Sequence, residues 1–294
     1  MIILKAFSSF HPTVLLLYYV SVFIVSVCTM HPVVIGCSVL GSLLFFIVLN
    51  PLRVIIKEFV FYAFAGILIA VVNLLFAHRG ETILFFMNDN PITYESGMFG
   101  IALACMILSI AFWSKSYIAL VSTDKIIYLF GSIIPRLAIF VSMVFRFMPM
   151  FKKQLKKVNQ AQKTLGFYTS DSITDRVIGG IRVFKSTFIS ELELFFSKTD
   201  AMKARGYGLK GRTNFSIFKW QIRDIIIGIF IILLVGVTVG GRHAFYFYYD
   251  PVVADVEISY AAFFQYVCVF LLMIIPSIIE VKENLQWRFL MSRI

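Results

Sequence analysis

The sequence predicts an all-α membrane protein with about six transmembrane helices and a cytoplasmic segment of long amphipathic helices. Three observations predict it. Hydrophobic residues make up 60% of the 294-residue chain, with a mean hydropathy of +0.88, more apolar surface than a soluble domain of this length can bury. The apolar residues fall into long runs, and the polar ones collect in one place. Between Arg146 and Arg223 there are 16 Lys/Arg against 5 Asp/Glu, an excess that equals the net charge of +11 carried by the whole chain.

Six runs are candidate spans: Val14–Met30, Val33–Leu49, Phe59–Ala77, Met98–Trp113, Ile225–Val239 and Tyr260–Ile279. Several are shorter than the ~20 residues needed to cross the hydrocarbon core, and flanking Tyr, Trp and polar residues extend them at the interface. The fifth is the shortest and is read as reaching back through Trp220. The first run is too long and uninterrupted for a cleavable signal, so it is read as staying in place. Cys28, Cys37, Cys105 and Cys268 sit inside apolar runs without paired spacing and read as small core residues.

Loop charge orients the spans. Arg53, Lys57 and Glu58 follow the second run, and Lys115 and Lys125 follow the fourth. The loops at 78–96 and 241–258 are acidic on balance, with Arg79 against Glu81, Asp89 and Glu95, and Arg242 against Asp250, Asp255 and Glu257. The positive-inside rule then places both termini and the basic block on the cytoplasmic side. The stretch Ile126–Met150 is apolar but interrupted by Pro135, Arg136 and Arg146, and reads as a broken or interfacial helix. The expected organisation is a membrane bundle over residues 1–146, a basic coupling segment over 147–221, and a C-terminal membrane part over 222–294.

Within the basic block the period changes to amphipathic helix. One stripe runs Met148, Phe151, Leu155, Val158, Gln162, Leu165, with Lys152, Lys153, Lys156 and Lys157 interleaved; a second runs Phe188, Leu192, Phe195, Thr199, Met202. Ser170 to Asp175 offers N-cap chemistry for the second helix, and Gly179-Gly180 reads as a break. Both stripes end in one cassette, Ala161-Gln162-Lys163-Thr164-Leu165-Gly166-Phe167 and Ala201-Met202-Lys203-Ala204-Arg205-Gly206-Tyr207. Glycine suits the left-handed position just past a helix C-terminus, so each cassette reads as a helix end. Small Ala161, Ala201 and Ala204 allow close approach of a partner, and Arg205 offers a planar fork for a carboxylate.

Catalytic chemistry is poorly represented. The run Gly179 to Ser186 nearly spells a phosphate loop, but Phe184 replaces the second glycine and no apolar strand precedes it. His11, His31, His78 and His243 lack ligand spacing, and no cofactor or metal is expected. Ionisable residues at mid-span, which mark most substrate pathways, are essentially lacking, with Asn73 the most polar exception. Nucleic acid is disfavoured as a partner because the lysines interleave with apolar residues instead of forming a separate basic face. The competing reading is a membrane enzyme or channel whose basic segment binds lipid.

Arg146-Phe147-Met148-Pro149, Ala161-Gln162-Lys163 and Ala201 through Tyr207 together resemble the transmembrane T component of energy-coupling factor (ECF) transporters, bacterial vitamin and metal importers of the ABC class. His11-Pro12, Pro276 with Glu280, and Trp287-Arg288-Phe289-Leu290 are similar to that family as well. The resemblance implies a non-catalytic subunit of the bacterial cell membrane. Its partners would be two ATP-binding ABC ATPase subunits (a heterodimer or homodimer) and a substrate-binding membrane S component, with lipid around them. It implies two coupling helices, each ending in an Ala-Arg-Gly motif that docks on one ATPase. Ala204-Arg205-Gly206 carries that motif intact, with Ala201 and Lys203 beside it. At the first position Thr164-Leu165-Gly166 lacks the arginine, and Ala161, Gln162 and Lys163 precede it. Phe151, Leu155, Val158, Phe188, Leu192 and Phe195 are expected to pack against the S component.

Overall fold

The computed structural model describes residues 6–77, 79–87, 90–166, 173–206, 218–256 and 259–291. These residues are 83% helical. The chain divides into two compact units, Met1–Thr123 with Phe218–Ile294, and Asp124–Ile217.

In the first unit α1 (Pro12–Cys28), α2 (Pro32–Leu49), α3 (Leu52–Phe76) and α4 (Tyr94–Leu120) are followed, after the second unit, by α8 (Ile222–Gly240) and α9 (Tyr260–Met291). Proline opens α1 and α2, where its missing N–H costs nothing. Among the described residues α2, α3, α4, α8 and α9 are long and apolar enough to cross a membrane; α1 is apolar but has 17 residues. All six expected runs therefore correspond to apolar helices.

Three local expectations need correcting. The third helix starts at Leu52 and not at Phe59, so Arg53, Lys57 and Glu58 lie in its first turns and not in a turn before it. The Lys115 ammonium of α4 meets the Glu58 carboxylate at 3.1 Å, which gives that charge a partner inside helical structure. The fifth run does not reach back through Trp220, because Gln221 and Asp224 form a capping box that starts α8 at Ile222. Part of the stretch read as a loop between the third and fourth spans is an antiparallel hairpin, β1 (Ile83–Met87) with β2 (Asn90–Thr93), leading directly into α4.

The core of this unit is aromatic. Tyr18, Tyr19, Phe45, Phe112 and Trp113 are almost fully buried, and Trp113 lies edge-on to Tyr18 at 6.0 Å and to Tyr19 at 6.4 Å. Such edge contacts align ring quadrupoles favourably. Trp113 Nε1 donates to Ser38 Oγ at 3.3 Å, and Ser38 shares a hydrogen bond of 2.8 Å with Ser26, so these three side chains satisfy one another. Close backbone approach does the rest: a Cβ on Gly41 would stand 2.7 Å from Met273 Cβ, and one on Gly100 3.0 Å from the Ala70 carbonyl oxygen. Small residues at such contacts are how membrane helices gain packing without a hydrophobic driving force. Of α3 only Gly66 is fully buried; one face, including Tyr62, Ile69 and Asn73, is half-buried and the rest is exposed.

The second unit holds α5 (Thr123–Ile133), α6 (Pro135–Thr164) and α7 (Ile173–Ala204), and α6 and α7 carry most of the basic block. The stretch 126–150 is shared between α5 and α6, which meet at the non-helical Ile134 ahead of Pro135. The expected break at Gly179-Gly180 does not occur: α7 is continuous through both glycines. Gly179 is buried in line with Val183 and Thr187, so it belongs to the covered face of the continuous helix. The N-cap expected from Ser170 to Ser172 lies outside the described residues.

Candidate functional site: two matching helix ends

The long helices of the second unit meet through aromatic rings. Phe147 of α6 lies 6.0 Å from Phe195 of α7, and Phe151 lies 6.1 Å from Phe184. The Lys198 ammonium sits over the Phe147 ring at 4.1 Å, a cation–π contact that closes this end of the seam. As α6 advances from Phe147 to Phe151, the contacts on α7 retreat from Phe195 to Phe184. The contact moves about 6 Å along α6 while it moves about 16 Å back along α7, so the two helices cross and do not lie side by side. At 1.5 Å per residue, α6 continues for roughly 20 Å beyond Phe151 and α7 for roughly 15 Å beyond Phe195.

Each helix end closes in the same way. The Leu165 N–H donates to the Ala161 carbonyl at 3.1 Å, and the Arg205 N–H to the Ala201 carbonyl at 3.2 Å. One residue on, Gly166 N–H reaches Lys163 O at 3.2 Å and Gly206 N–H reaches Lys203 O at 2.9 Å. Both glycines are left-handed, with φ of 75° and 76°. This short bond to the carbonyl three residues back is half of a Schellman closure, and it requires the left-handed residue. The sequence match is thus largely a match of backbone shape, the Arg205 N–H differing only in reaching the Met202 carbonyl as well, at 3.1 Å.

The side chains around that backbone divide into two sets. Ala161, Lys163, Leu165 and Gly166 are exposed at the first end, as are Ala201, Lys203, Ala204 and Arg205 at the second. Gln162 and Met202 are half-buried, and Gly206 is half-buried as well. Leu165 is 71% exposed. Lys203 pairs with Asp200 at 3.6 Å, but both side chains are exposed and such a pair adds little.

The expected packing stripes fare differently. Phe151, Leu155, Val158 and Phe195 are half-buried, and Gln162 continues their face on α6. Met148, which the spacing places on that stripe, is 45% exposed. Phe188 and Leu192 are exposed too, and they belong to a longer row that sequence spacing alone did not reveal: Val177, Ile181, Phe184, Phe188, Leu192. Their i, i+3/i+4 spacing puts all five on one face of α7, and Phe184 stacks on Phe188 at 5.8 Å. The signal was present in the sequence, but taking Gly179-Gly180 as a helix break hid its first half.

Apolar helices long enough to cross a membrane, together with a pair of long basic helices, define a multi-pass all-α membrane protein. Residues 8–217 match the CbiQ family, described as cobalt transport protein, and the chain belongs to that family. It is 29% identical over 182 residues to the energy-coupling factor transporter transmembrane protein EcfT of Listeria innocua serovar 6a, covering 58% of this chain and 69% of that one. It is likewise 29% identical over 190 residues to the EcfT protein of Exiguobacterium sibiricum, covering 59% and 70%. With the EcfT protein of Bacillus subtilis strain 168 it shares 30% identity over 100 residues, 33% of this chain and 38% of that one.

Proposed function

We propose that this protein is the coupling subunit of an ECF-type ABC importer in the bacterial cell membrane, with both termini cytoplasmic. Two ATPase subunits hydrolyse ATP, and this chain transmits their motion to a substrate-binding membrane subunit that takes up a vitamin or metal ion. The segment 147–221 carries the coupling. The observation behind this reading is the pair of helix ends with closely similar backbone geometry, carried by two helices that cross at a shared aromatic contact. Two equal sockets suit two related partners, and a rigid crossing between them moves both ends together.

In this reading Arg205 pairs with a carboxylate on one ATPase, flanked by Ala201, Lys203, Ala204 and Gly206. Leu165 packs into an apolar part of the other, flanked by Ala161, Gln162, Lys163 and Gly166. The exposed row on α7, including Phe188 and Leu192, meets the substrate-binding subunit, while Phe151, Leu155, Val158 and Phe195 hold the coupling helices in register beside it. Purification in mild detergent tests the proposal: two ATP-binding polypeptides should accompany the protein, and Arg205→Glu should release at least one of them. Isolation as a lone, fully active species would instead support an enzyme or channel with a lipid-binding basic segment.

A further inference from the structure

The hairpin that joins α3 to α4 has no part in the coupling just proposed, and its two strands have opposite surroundings. β2 is packed on the bundle, with Ile92 and Thr93 buried. β1 stands outside it: Ile83, Leu84, Phe85 and Phe86 are between 50% and 67% exposed. Phe85 pairs in register with Ile92 and Phe86 with Pro91, so the two phenylalanines lie on opposite faces of the hairpin. Apolar surface is therefore open on both sides of one strand. The sequence carries no charge from Thr82 to Asn88, and β1 has neither the lysine nor the proline that commonly keeps an edge strand from associating in water.

The position of the hairpin indicates what covers it. No charged residue occurs in α3 from Phe59 to Phe76, a stretch of about 27 Å that nearly matches the ~30 Å hydrocarbon core. Phe76 then lies at one boundary of that core, with Arg79 and Glu81 just past it. Hydrogen bonds fix the base of the hairpin at this level. Thr82 donates from Oγ1 and from its N–H to Glu95 Oε1, at 2.5 and 3.2 Å, and the Tyr94 N–H donates to the Thr82 carbonyl at 3.0 Å. The Glu81 N–H donates to the Pro251 carbonyl at 3.2 Å, tying in the loop between α8 and α9. That loop carries exposed Tyr246 and Tyr248, and exposed Tyr260 opens α9 directly after it. Tyrosine favours this depth, where its ring meets acyl chains and its hydroxyl meets headgroups.

We infer that β1 is an interfacial anchor, lying in lipid at the boundary between phospholipid headgroups and acyl chains. A protein partner seated on the hairpin would cover one face; lipid reaches both. The boundary also suits the open edge of β1. There its unpaired N–H groups can donate to phosphate oxygens and its carbonyls can accept from water, which the hydrocarbon interior would deny them.

The test places the full-length protein in phosphatidylcholine nanodiscs. Phe85→Trp and Phe86→Trp each add an indole to one face of the strand, and its emission is read as the difference from the unaltered protein. Bromines on the acyl chains near the glycerol should quench both added indoles by at least about twofold, and more than bromines near the chain ends, as expected at the aromatic belt. Aqueous iodide should quench them far less than it quenches free tryptophan. Strong quenching by iodide with none by bromine puts the hairpin in water and overturns the inference. Bromine quenching on one face only, or quenching by neither reagent, means that protein covers the strand and overturns it too. The unaltered protein gives a check that needs no variant. A diazirine carried near the glycerol of phosphatidylcholine should label residues 83–86 on illumination, and labelling of α3 without the hairpin would overturn the inference.

Discussion

Leu165 and Arg205 occupy the same place on two copies of one helix end. Each donates its N–H to the alanine carbonyl four residues back, and each is followed by a glycine at φ near 75°. Backbone geometry therefore does not distinguish the ends; side-chain chemistry does. In the proposed assembly, a charged fork at one and an isobutyl group at the other ask for different surfaces on the two ATPases. Arg205→Leu and Arg205→Glu are expected to reduce uptake by at least about tenfold, the scale of removing one charge-assisted hydrogen bond from a partly desolvated interface. Leu165→Arg is expected to reduce it too, because an apolar socket leaves the new guanidinium without a partner. Substrate uptake by cells carrying each variant is the measurement. Unimpaired uptake with Leu165→Arg would mean both sockets accept arginine and the asymmetry has no functional weight.

The two glycines give a graded prediction. A Cβ on Gly166 would meet nothing within 4 Å, so any cost of substitution there is conformational and not steric crowding by neighbours. Left-handed backbone costs an ordinary residue about 1 kcal/mol, less for Asn and more for a β-branched side chain. Uptake should therefore fall in the order Gly, Asn, Ala, Val at position 166, and in the same order at 206. Co-purification of the ATPases should follow the same ranking. A flat series would remove the closed helix end from the mechanism.

His11 supplies a pH-dependent prediction. Its Nδ1 accepts the Thr13 N–H at 3.3 Å and caps α1, its ring stacks on Trp220 at 4.0 Å, and its backbone N–H donates to Asp224 at 3.4 Å. Burial lowers its pKa below the usual imidazole value, with the Asp224 charge acting in the opposite direction. A histidine with a lowered folded-state pKa contributes stability that is present above its unfolded value of about 6.5 and is lost as pH falls through the folded value. Protonation also removes the acceptor at Nδ1. The thermal midpoint of the detergent-solubilised protein should fall on acidification below about pH 6.5. His11→Asn, which keeps a capping acceptor, should flatten that arm at a cost of no more than about 1 kcal/mol.

What the sequence could reveal followed from how local each feature is. Lipid imposes long apolar runs, so all six helices were visible as hydropathy, and a glycine after a basic amphipathic run marked both helix ends. Features that depend on a neighbour were not visible. Gly179-Gly180 looks like a break until Gly179 is seen to share the buried face of α7 with Val183 and Thr187. Arg53 and Glu58 look like loop residues until Lys115 on another helix is found beside Glu58. The inner and outer faces of α7 are mixed in a reading of spacing alone for the same reason. Phe195 is half-buried, while Phe188 and Leu192 are exposed, and only the position of the other helix separates them.

Glu280 is the strongest case of such a distant partner. It is fully buried in α9, and its two carboxylate oxygens accept the backbone N–H groups of Ala6 at 3.0 Å and Phe7 at 2.9 Å. Those donors open the 3-10 turn Phe7–Ser9, so one carboxylate ties the N-terminal segment to the last helix. Phe7 is then held edge-on against Tyr18 at 5.4 Å and Phe45 at 6.0 Å, within the aromatic core. Hydrogen bonds to a charged group contribute about 1.5–3 kcal/mol each, and a buried donor stripped of its acceptor costs more than the bond alone. Glu280→Ala should therefore destabilise the protein by about 3 kcal/mol or more, and Glu280→Gln, which keeps one carbonyl acceptor, by about half of that. Thermal unfolding in detergent ranks the three proteins. Hydrogen exchange at Phe7 separates the tether from general loosening: it should rise in both variants while the amides of α6 and α7 stay unchanged. If Glu280→Ala unfolds at the wild-type temperature, the carboxylate is not what holds the N-terminal turn in the core.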